Sequence, residues 1–236
     1  MGIVDKREII WYNSSKGGGP VLEKMDQFFE ARLEGYDAHM KANIESAEEF
    51  YLFTASCLPT EPGAKVLDLG CGTGLELEDY FRLNPEAAIT GIDLSAGMLE
   101  ALKKKFPEKK MSLIRGSYFD VPLGDGYDAA VSVESLHHFT KEEKNQLYTR
   151  LCKALNPGGY FILTDYFASS VEEEAFFQQE LLRLKQEQGI CDGAFYHYDT
   201  PLTVEHETQA LLSAGFRRVE LLNRWGATYT LRAVRD

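Results

Sequence analysis

Apolar residues recur at helical spacing through the first sixty residues, where no stretch alternates as a strand does. The segment from Gly17 to Pro20 interrupts this pattern once. One helix is predicted between residues 21 and 40, and a second from about Ile44 to Cys57. The apolar positions of the first are Leu22, Met25, Phe28, Phe29, Leu33, Tyr36 and Met40. Residues 1–60 are therefore predicted to form an N-terminal helical cap.

The pattern changes at residue 64, where short apolar runs begin to alternate with amphipathic segments. Strands are predicted over 64–69, 88–92, 111–115, 128–133 and 160–164, helices over 75–81, 95–105 and 141–155, and a turn over 156–159. Ser95 has the position of a helix N-cap. This alternation favours a parallel sheet with helices on both faces. Residues 61–166 are predicted to form this α/β core.

The last third departs from that alternation. One long charged helix is predicted from Val171 to Gln188, followed by an irregular segment rich in aromatic residues. We expect residues 167–203 to form an inserted lid. A helix opening at Thr203 and two closing strands, over 217–222 and 227–234, then return the chain to the core as residues 204–236. The closing strands are predicted to be antiparallel.

Composition excludes several classes of protein. The 236 residues are 44% hydrophobic and 26% charged, as in globular domains. The net charge of −12 disfavours nucleic acid as a partner, and no apolar run is long enough for a membrane helix. The four cysteines have no C-x-x-C spacing, so neither a metal site nor a disulfide framework is predicted. We expect a cytoplasmic protein.

A glycine-rich segment from Val66 to Gly74 follows the first strand of the core. Three glycines two residues apart let the backbone approach a ligand closely. A phosphate-binding P-loop, a dinucleotide fingerprint and a purely structural turn are the alternatives, and the first two require other spacings. Asp68 lies just before the glycines, where its carboxylate repels a pyrophosphate and suits an ammonium group.

Asp93 closes the next predicted strand. An acid at this position accepts hydrogen bonds from both hydroxyls of a ribose. One acid beside an amine and another on a ribose together describe an adenosyl amino acid without phosphates.

At this point the sequence resembles the class I S-adenosylmethionine-dependent methyltransferases of the bacterial small-molecule type. Four motifs carry the resemblance, and they cover about residues 60–165: Val66–Gly74, Asp93–Leu99, Tyr127–Phe139 and Leu155–Gly159. The resemblance implies a Rossmann-like doubly wound sheet of about seven strands in the order 3-2-1-4-5-7-6, with the last strand antiparallel. It also implies S-adenosylmethionine as cofactor and S-adenosylhomocysteine as product.

The resemblance assigns cofactor contacts residue by residue. Asp68 and the loop residues Gly70, Cys71, Gly72 and Gly74 are expected to border the methionine part, and Asp93 the ribose. Leu94 and Met98 are expected near the adenine, with ordinary core packing as the alternative. Many relatives have an acid after the third strand, whereas this chain has Ser117 and Tyr118. Adenine recognition is therefore expected to involve the backbone there.

The catalytic candidates follow the fourth strand. Glu134 is expected to face the sulfonium or the acceptor, and His137 or His138 is placed to deprotonate an acceptor. Packing and capping are the alternatives for the two histidines.

Aromatic residues are concentrated where a lid is predicted. We expect a cation-binding and acceptor-binding surface from them, with packing inside the lid as the alternative. The substrate-binding candidates are Trp11, Tyr36, Tyr166, Tyr196, Tyr198 and Trp225. Arg32 and Tyr36 are also candidates for closing over the cofactor carboxylate.

The function predicted from these motifs is direct in-line methyl transfer to a small-molecule acceptor. A methyltransferase for RNA or protein, a non-catalytic cofactor-binding scaffold and a nicotinamide oxidoreductase are the alternatives. We expect no membrane partner, and a monomer or a homodimer.

Overall fold

The computed structural model describes residues 21–236. Within these residues, three helices precede the sheet: α1 (Met25–Ala31), α2 (Tyr36–Asn43) and α3 (Ala47–Ser56). The single helix predicted across residues 21–40 is thus wrong. Gly35 is in the left-handed region at φ 83°, and this conformation separates α1 from α2 although the apolar spacing continues across the break.

The predicted alternation of strands and helices is confirmed through the core, with small shifts at the ends. The elements are β1 (Lys65–Leu69), α4 (Leu75–Leu83), β2 (Ala88–Asp93), α5 (Ala96–Lys105), β3 (Met111–Arg115), β4 (Tyr127–Val133), a 3₁₀ turn (Leu136–His138), α6 (Lys141–Ala154) and β5 (Leu155–Tyr166). Ser95 caps α5 as predicted, since its hydroxyl accepts from the Met98 N–H at 3.1 Å. The turn predicted over 156–159 instead lies within β5, whose first residue Leu155 already pairs with Tyr127.

The last elements are α7 (Val171–Glu187), α8 (Val204–Ser213), β6 (Arg218–Trp225) and β7 (Thr228–Val234). The seven strands form one sheet in the order β3-β2-β1-β4-β5-β7-β6, which confirms the predicted order. β7 runs antiparallel to both of its neighbours, and the other neighbouring pairs are parallel. Apolar clusters cover both faces of the sheet, as a doubly wound fold requires.

The lid shares a small apolar core with the segment that precedes α1. Leu22, Phe177, Leu184 and Tyr198 are buried together against partly buried neighbours that include Tyr196. Its two ends meet at a bridge between Ala168 and Thr203, where the Ala168 N–H donates to the Leu202 carbonyl at 3.0 Å.

A buried ion pair lies between α6 and α8. Lys144 Nζ is 2.7 Å from Glu207 Oε2, and both side chains are almost fully buried. The Tyr148 hydroxyl donates to the second oxygen of Glu207. Two side chains of α6 therefore hold Glu207, and with it the helix that follows the lid. Among residues 21–236, no helix has both the length and the apolar character needed to cross a membrane.

Candidate active site

Four acidic residues lie at one edge of the sheet. Asp68 is near the end of β1, Asp93 ends β2, Glu134 follows β4 and Asp165 is near the end of β5. Since these strands are parallel, their carboxyl ends meet at the same edge, where open α/β sheets bind ligands.

The carboxylate of Asp93 is held by the glycine-rich loop. Its Oδ2 accepts from the Gly72 N–H at 2.9 Å, and its Oδ1 accepts from the Ser95 N–H at 2.8 Å. Burial raises the pKa of Asp93 to about 6, although these backbone hydrogen bonds act to lower it. The acid expected on the ribose is therefore fixed in place by the loop next to it.

Two glycines of the loop differ in what surrounds them, although both have positive φ. A Cβ on Gly74 would lie 2.4 Å from Leu102 Cδ1, whereas a Cβ on Gly72 would meet nothing closer than 4.0 Å. Gly74 thus allows the loop to pack on α5, and Gly72 faces open space. The Cys71 side chain is buried against Gly91, and its N–H donates to the Ile92 carbonyl at 3.2 Å. Gly70 lies against Ser135.

Asp68 and Glu76 form a buried pair of carboxyls. Within residues 21–236, Asp68 Oδ2 and Glu76 Oε1 have no hydrogen-bond partner. Burial and the neighbouring Glu76 raise the pKa of Asp68 well above its usual range, and burial raises that of Glu76 to about 7. Burial and then the charges of Asp93, Glu76 and Glu134 raise the pKa of the Tyr36 hydroxyl. This group, the glycine-loop side, is suited to a cation.

Two acidic side chains of the N-terminal helices accept hydrogen bonds from the glycine-loop side. Glu30 accepts from the Ser95 hydroxyl at 2.6 Å and from the Gly97 N–H at 3.1 Å. Asp37 accepts from the Thr73 hydroxyl at 2.5 Å and from Lys105 Nζ at 2.6 Å. The cap therefore holds the glycine-rich loop directly.

The residues expected near an adenine lie beside the loop. Leu94 is half-buried and Met98 is 1% exposed. The Ser117 hydroxyl accepts from the Phe119 N–H at 3.1 Å, and the Tyr118 hydroxyl lies 3.1 Å from Ser135 Oγ. Both polar groups are thus engaged within the protein. The guanidinium of Arg150 donates to the carbonyls of residues 118, 119 and 121, which fixes this loop in place.

The second group of polar side chains, the histidine side, comprises Glu134, His137, His138, Asp165 and Asp199. His137 Nδ1 forms a 2.5 Å hydrogen bond with Asp165 Oδ1, and its Nε2 is 3.5 Å from Asp199 Oδ1. His138 Nδ1 is 3.0 Å from the same oxygen, without the alignment of a hydrogen bond. Burial acts to lower the pKa of both histidines. Nearby carboxylates raise that of His137 to about 9, whereas that of His138 stays lowered.

Glu134 lies at the boundary between the two sides. Its φ of 47° is unusual for a residue other than glycine, which marks a strained turn after β4. Its Oε1 accepts from the Thr228 hydroxyl at 3.0 Å. The three predicted catalytic candidates are therefore together at one edge.

The predicted substrate-binding aromatic residues are dispersed. Tyr166 lies edge-on to His137 with ring centroids 6.0 Å apart, and Tyr36 is on the glycine-loop side. Tyr196 and Tyr198 pack inside the lid, and Trp225 packs on α3 and donates to Glu49. Tyr198 is buried and the other two rings are partly buried, so these three remain predictions that rest on the sequence alone. Trp11 lies outside the described residues. Arg32, predicted to close over the cofactor carboxylate, is paired with Glu23 at 2.8 Å.

Sequence reasoning missed Glu76, Asp165 and Asp199. A signal existed for Asp165, since it directly follows a predicted buried strand, as Asp93 also does. Asp68 lies near the end of its predicted strand. Glu76 lies in the first turn after the glycines. Asp199 gave no signal, because it comes from the irregular part of the lid.

Comparison with known proteins supports the class that this geometry indicates. Residues 66–159 match the family model of a methyltransferase domain. The chain is 34% identical over 111 residues to a malonyl-[acyl-carrier protein] O-methyltransferase of Priestia megaterium, covering 46% of this chain and 39% of that protein. It is 27% identical over 192 residues to a carboxy-S-adenosyl-L-methionine synthase of Campylobacter curvus, covering 76% of this chain and 80% of that one.

The fold is also found in a solved structure, human N-acetylserotonin methyltransferase in complex with S-adenosylmethionine. The TM-score is 0.62 at 19% identity, over 89% of this chain and 56% of that one. The chain spans less than half the length of several curated relatives that it matches.

The fold is that of the class I methyltransferases, as three features together show: the strand order, the glycine-rich loop and the acid at the end of β2. Residues 66–159 of this chain therefore resemble a methyltransferase domain, and the solved structure with the same fold contains S-adenosylmethionine.

Proposed function

We propose that this chain transfers a methyl group to a small-molecule acceptor by direct in-line displacement. The observation that carries the proposal is the arrangement of two polar groups at one sheet edge. The glycine-loop side has buried acids with unpartnered oxygens, and the histidine side lies next to it across Glu134.

The glycine-loop side fits the cofactor. Asp68 and Glu76 would face its ammonium group, and Gly72, beside which a Cβ would meet nothing closer than 4.0 Å, leaves room for it. Asp93 would accept from the ribose hydroxyls. When bound, S-adenosylmethionine supplies a methyl group on a positively charged sulfur. The carboxyls beside Tyr36, in their ionised forms, would bind and orient that charge.

The histidine side would receive the acceptor. Glu134, His137 and His138 lie together there, and we infer that they hold the acceptor and its proton. Asp165 orients His137, since it is bonded to His137 Nδ1 and also accepts from the Leu136 N–H at 2.8 Å. Proximity and orientation of this kind can contribute about 7–11 kcal/mol to the lowering of a barrier.

A small molecule suits this site better than RNA or protein. The net charge of −12 opposes a polyanionic partner. Asp199 and Thr200 of the lid lie directly over the histidines, with the Thr200 N–H donating to the His137 carbonyl at 2.7 Å. A lid in contact with the histidines favours a small acceptor over a polymer.

The test has a binding part and a turnover part. Thermal shifts should appear with S-adenosylmethionine and S-adenosylhomocysteine and be absent with NADH. A ligand at 100 times its Kd stabilises a fold by about 2.7 kcal/mol. Release of S-adenosylhomocysteine would then be followed with panels of carboxylic acids, phenols and amines, with transfer RNA and with peptides. Turnover confined to RNA or peptide would overturn the small-molecule proposal, and binding without turnover on any panel would favour the scaffold alternative.

A further inference from the structure

We propose that His137, His138 and Asp199 form a binding site for one divalent transition-metal ion. Nothing in the spacing of these residues along the chain points to a metal, since Asp199 is separated from the histidines by about sixty residues. The lid brings it onto them.

The distances between the ligand atoms are those of a metal site. Asp199 Oδ1 is 3.5 Å from His137 Nε2 and 3.0 Å from His138 Nδ1, and all three ligand atoms lie within 4.8 Å of one another. Bonds of about 2.0–2.1 Å in a tetrahedral site place neighbouring ligand atoms roughly 3.4 Å apart. The three side chains thus need little movement to close on an ion.

A buried nitrogen of His138 also indicates a metal ion at this site. His138 Nδ1 is buried and has no hydrogen-bond partner within residues 21–236, although it is 3.0 Å from a carboxylate oxygen. The His138 side chain is 4% exposed. A buried imidazole nitrogen without a partner is costly, and a metal ion shared with Asp199 would satisfy it.

The surroundings of His137 are those of a metal ligand. A ligating histidine donates its other ring N–H to a carboxylate or a carbonyl, which fixes the ring and the tautomer. Asp165 performs this role at His137 Nδ1, at 2.5 Å, and is itself fixed by the Leu136 N–H. His137 Nε2 is thereby directed at Asp199. The same acids, with Glu134 nearby, give the site the negative charge that attracts a cation.

The chemistry of the three ligand side chains indicates which metal ions can bind. Two imidazoles and one carboxylate suit zinc, iron, cobalt or nickel, whereas magnesium and calcium prefer oxygen ligands. An ion here would polarise an acceptor oxygen or nitrogen on the histidine side. That consequence rests on the proposed methyl transfer, but metal binding itself does not.

Metal binding is measured on the full-length protein after treatment with a chelator. We expect Zn²⁺ titration by calorimetry to show one ion per chain, and Co²⁺ to give visible absorption bands of a low-coordinate site. Mg²⁺ should not compete. Asp199→Asn and His138→Gln should each abolish the Co²⁺ spectrum, and Asp165→Asn should weaken Zn²⁺ binding by about 10–100-fold. His39→Gln, a histidine on α2 outside the cluster, is the matched control and should bind as the wild type does.

Two results would contradict the proposed metal site. One is a wild-type chain that binds no more Zn²⁺ than the His138→Gln, Asp199→Asn double variant. The other is a Co²⁺ spectrum unchanged in that variant. Circular dichroism and the thermal shift with S-adenosylhomocysteine report whether each variant is folded and binds cofactor. A variant that still binds S-adenosylhomocysteine but no longer binds Co²⁺ has lost the metal site alone. This result distinguishes failure of the metal proposal from failure of the proposed function.

Discussion

The glycine-loop side and the histidine side are built in different ways, although they share one sheet edge. On the glycine-loop side, contacts are made between loops that follow neighbouring strands, and backbone N–H groups supply them, as from Gly72 to Asp93. On the histidine side, side chains meet from β5, the turn after β4 and the lid, as His137 does with Asp165 and Asp199. The first side is therefore tied to the core, whereas the second depends on where the lid lies.

The largest expected effect separates structural from ligand-facing glycines on the glycine-loop side. Gly74→Ala should lower the free energy of unfolding by about 2–5 kcal/mol, because it adds left-handed strain to a clash with Leu102. Gly72→Ala adds the strain alone, about 1–2 kcal/mol. Urea denaturation measures both. The division of roles predicts that Gly72→Ala weakens S-adenosylhomocysteine binding more than Gly74→Ala does. It would be contradicted if the two variants had equal effects on stability and equal effects on affinity.

The next effect tests whether the two sides are independent. Asp93→Ala should weaken S-adenosylhomocysteine binding by about 10–150-fold, since hydrogen bonds to a charged group contribute roughly 1.5–3 kcal/mol. Asp165→Asn, an acid at the same edge on the histidine side, is the control and should leave that affinity within about twofold. Calorimetry measures both. Equal losses in the two variants would show that the sides act as one unit.

The smallest effect is a pH dependence confined to the glycine-loop side. The pKa values of Glu76 and Asp93 are raised to about 7 and about 6, so both are partly protonated near pH 6 and ionised at pH 8. A cation binds the ionised forms, so the affinity for S-adenosylmethionine should rise with pH, by about tenfold between pH 5.5 and 8. Glu76→Gln should flatten the upper part of this curve. A wild-type affinity that falls as pH rises would contradict the assignment.

The sequence predicted that the residues of the glycine-loop side lie together, and it did so for a physical reason. Asp68, the glycines and Asp93 lie at strand ends, and a parallel sheet brings such ends together whatever the rest of the chain does. The strand order was implied by the family resemblance that these motifs carry, and the structure confirms it. The break at Gly35 was missed because helical spacing of apolar residues continues through it.

The histidine side was predicted only in part. His137 and His138 follow a strand and were found, but Asp199 lies in an irregular segment whose path no local pattern determines. The same limit applies to Tyr196 and Tyr198, which contact a small apolar cluster in the lid. A sequence pattern does not distinguish packing inside a lid from contact with an acceptor.

The bridge between Ala168 and Thr203 bears on how such an enzyme diversifies. Because the two ends of the lid are neighbours, the core presents one fixed pair of attachment points. Each doubling of the length of a flexible segment closed between such points costs only about 0.6 kcal/mol. Lids of other lengths and sequences can thus be grafted there while Asp68, Gly72 and Asp93 stay where they are. Under the proposed function, transplanting the lid between relatives should move acceptor preference from one chain to another.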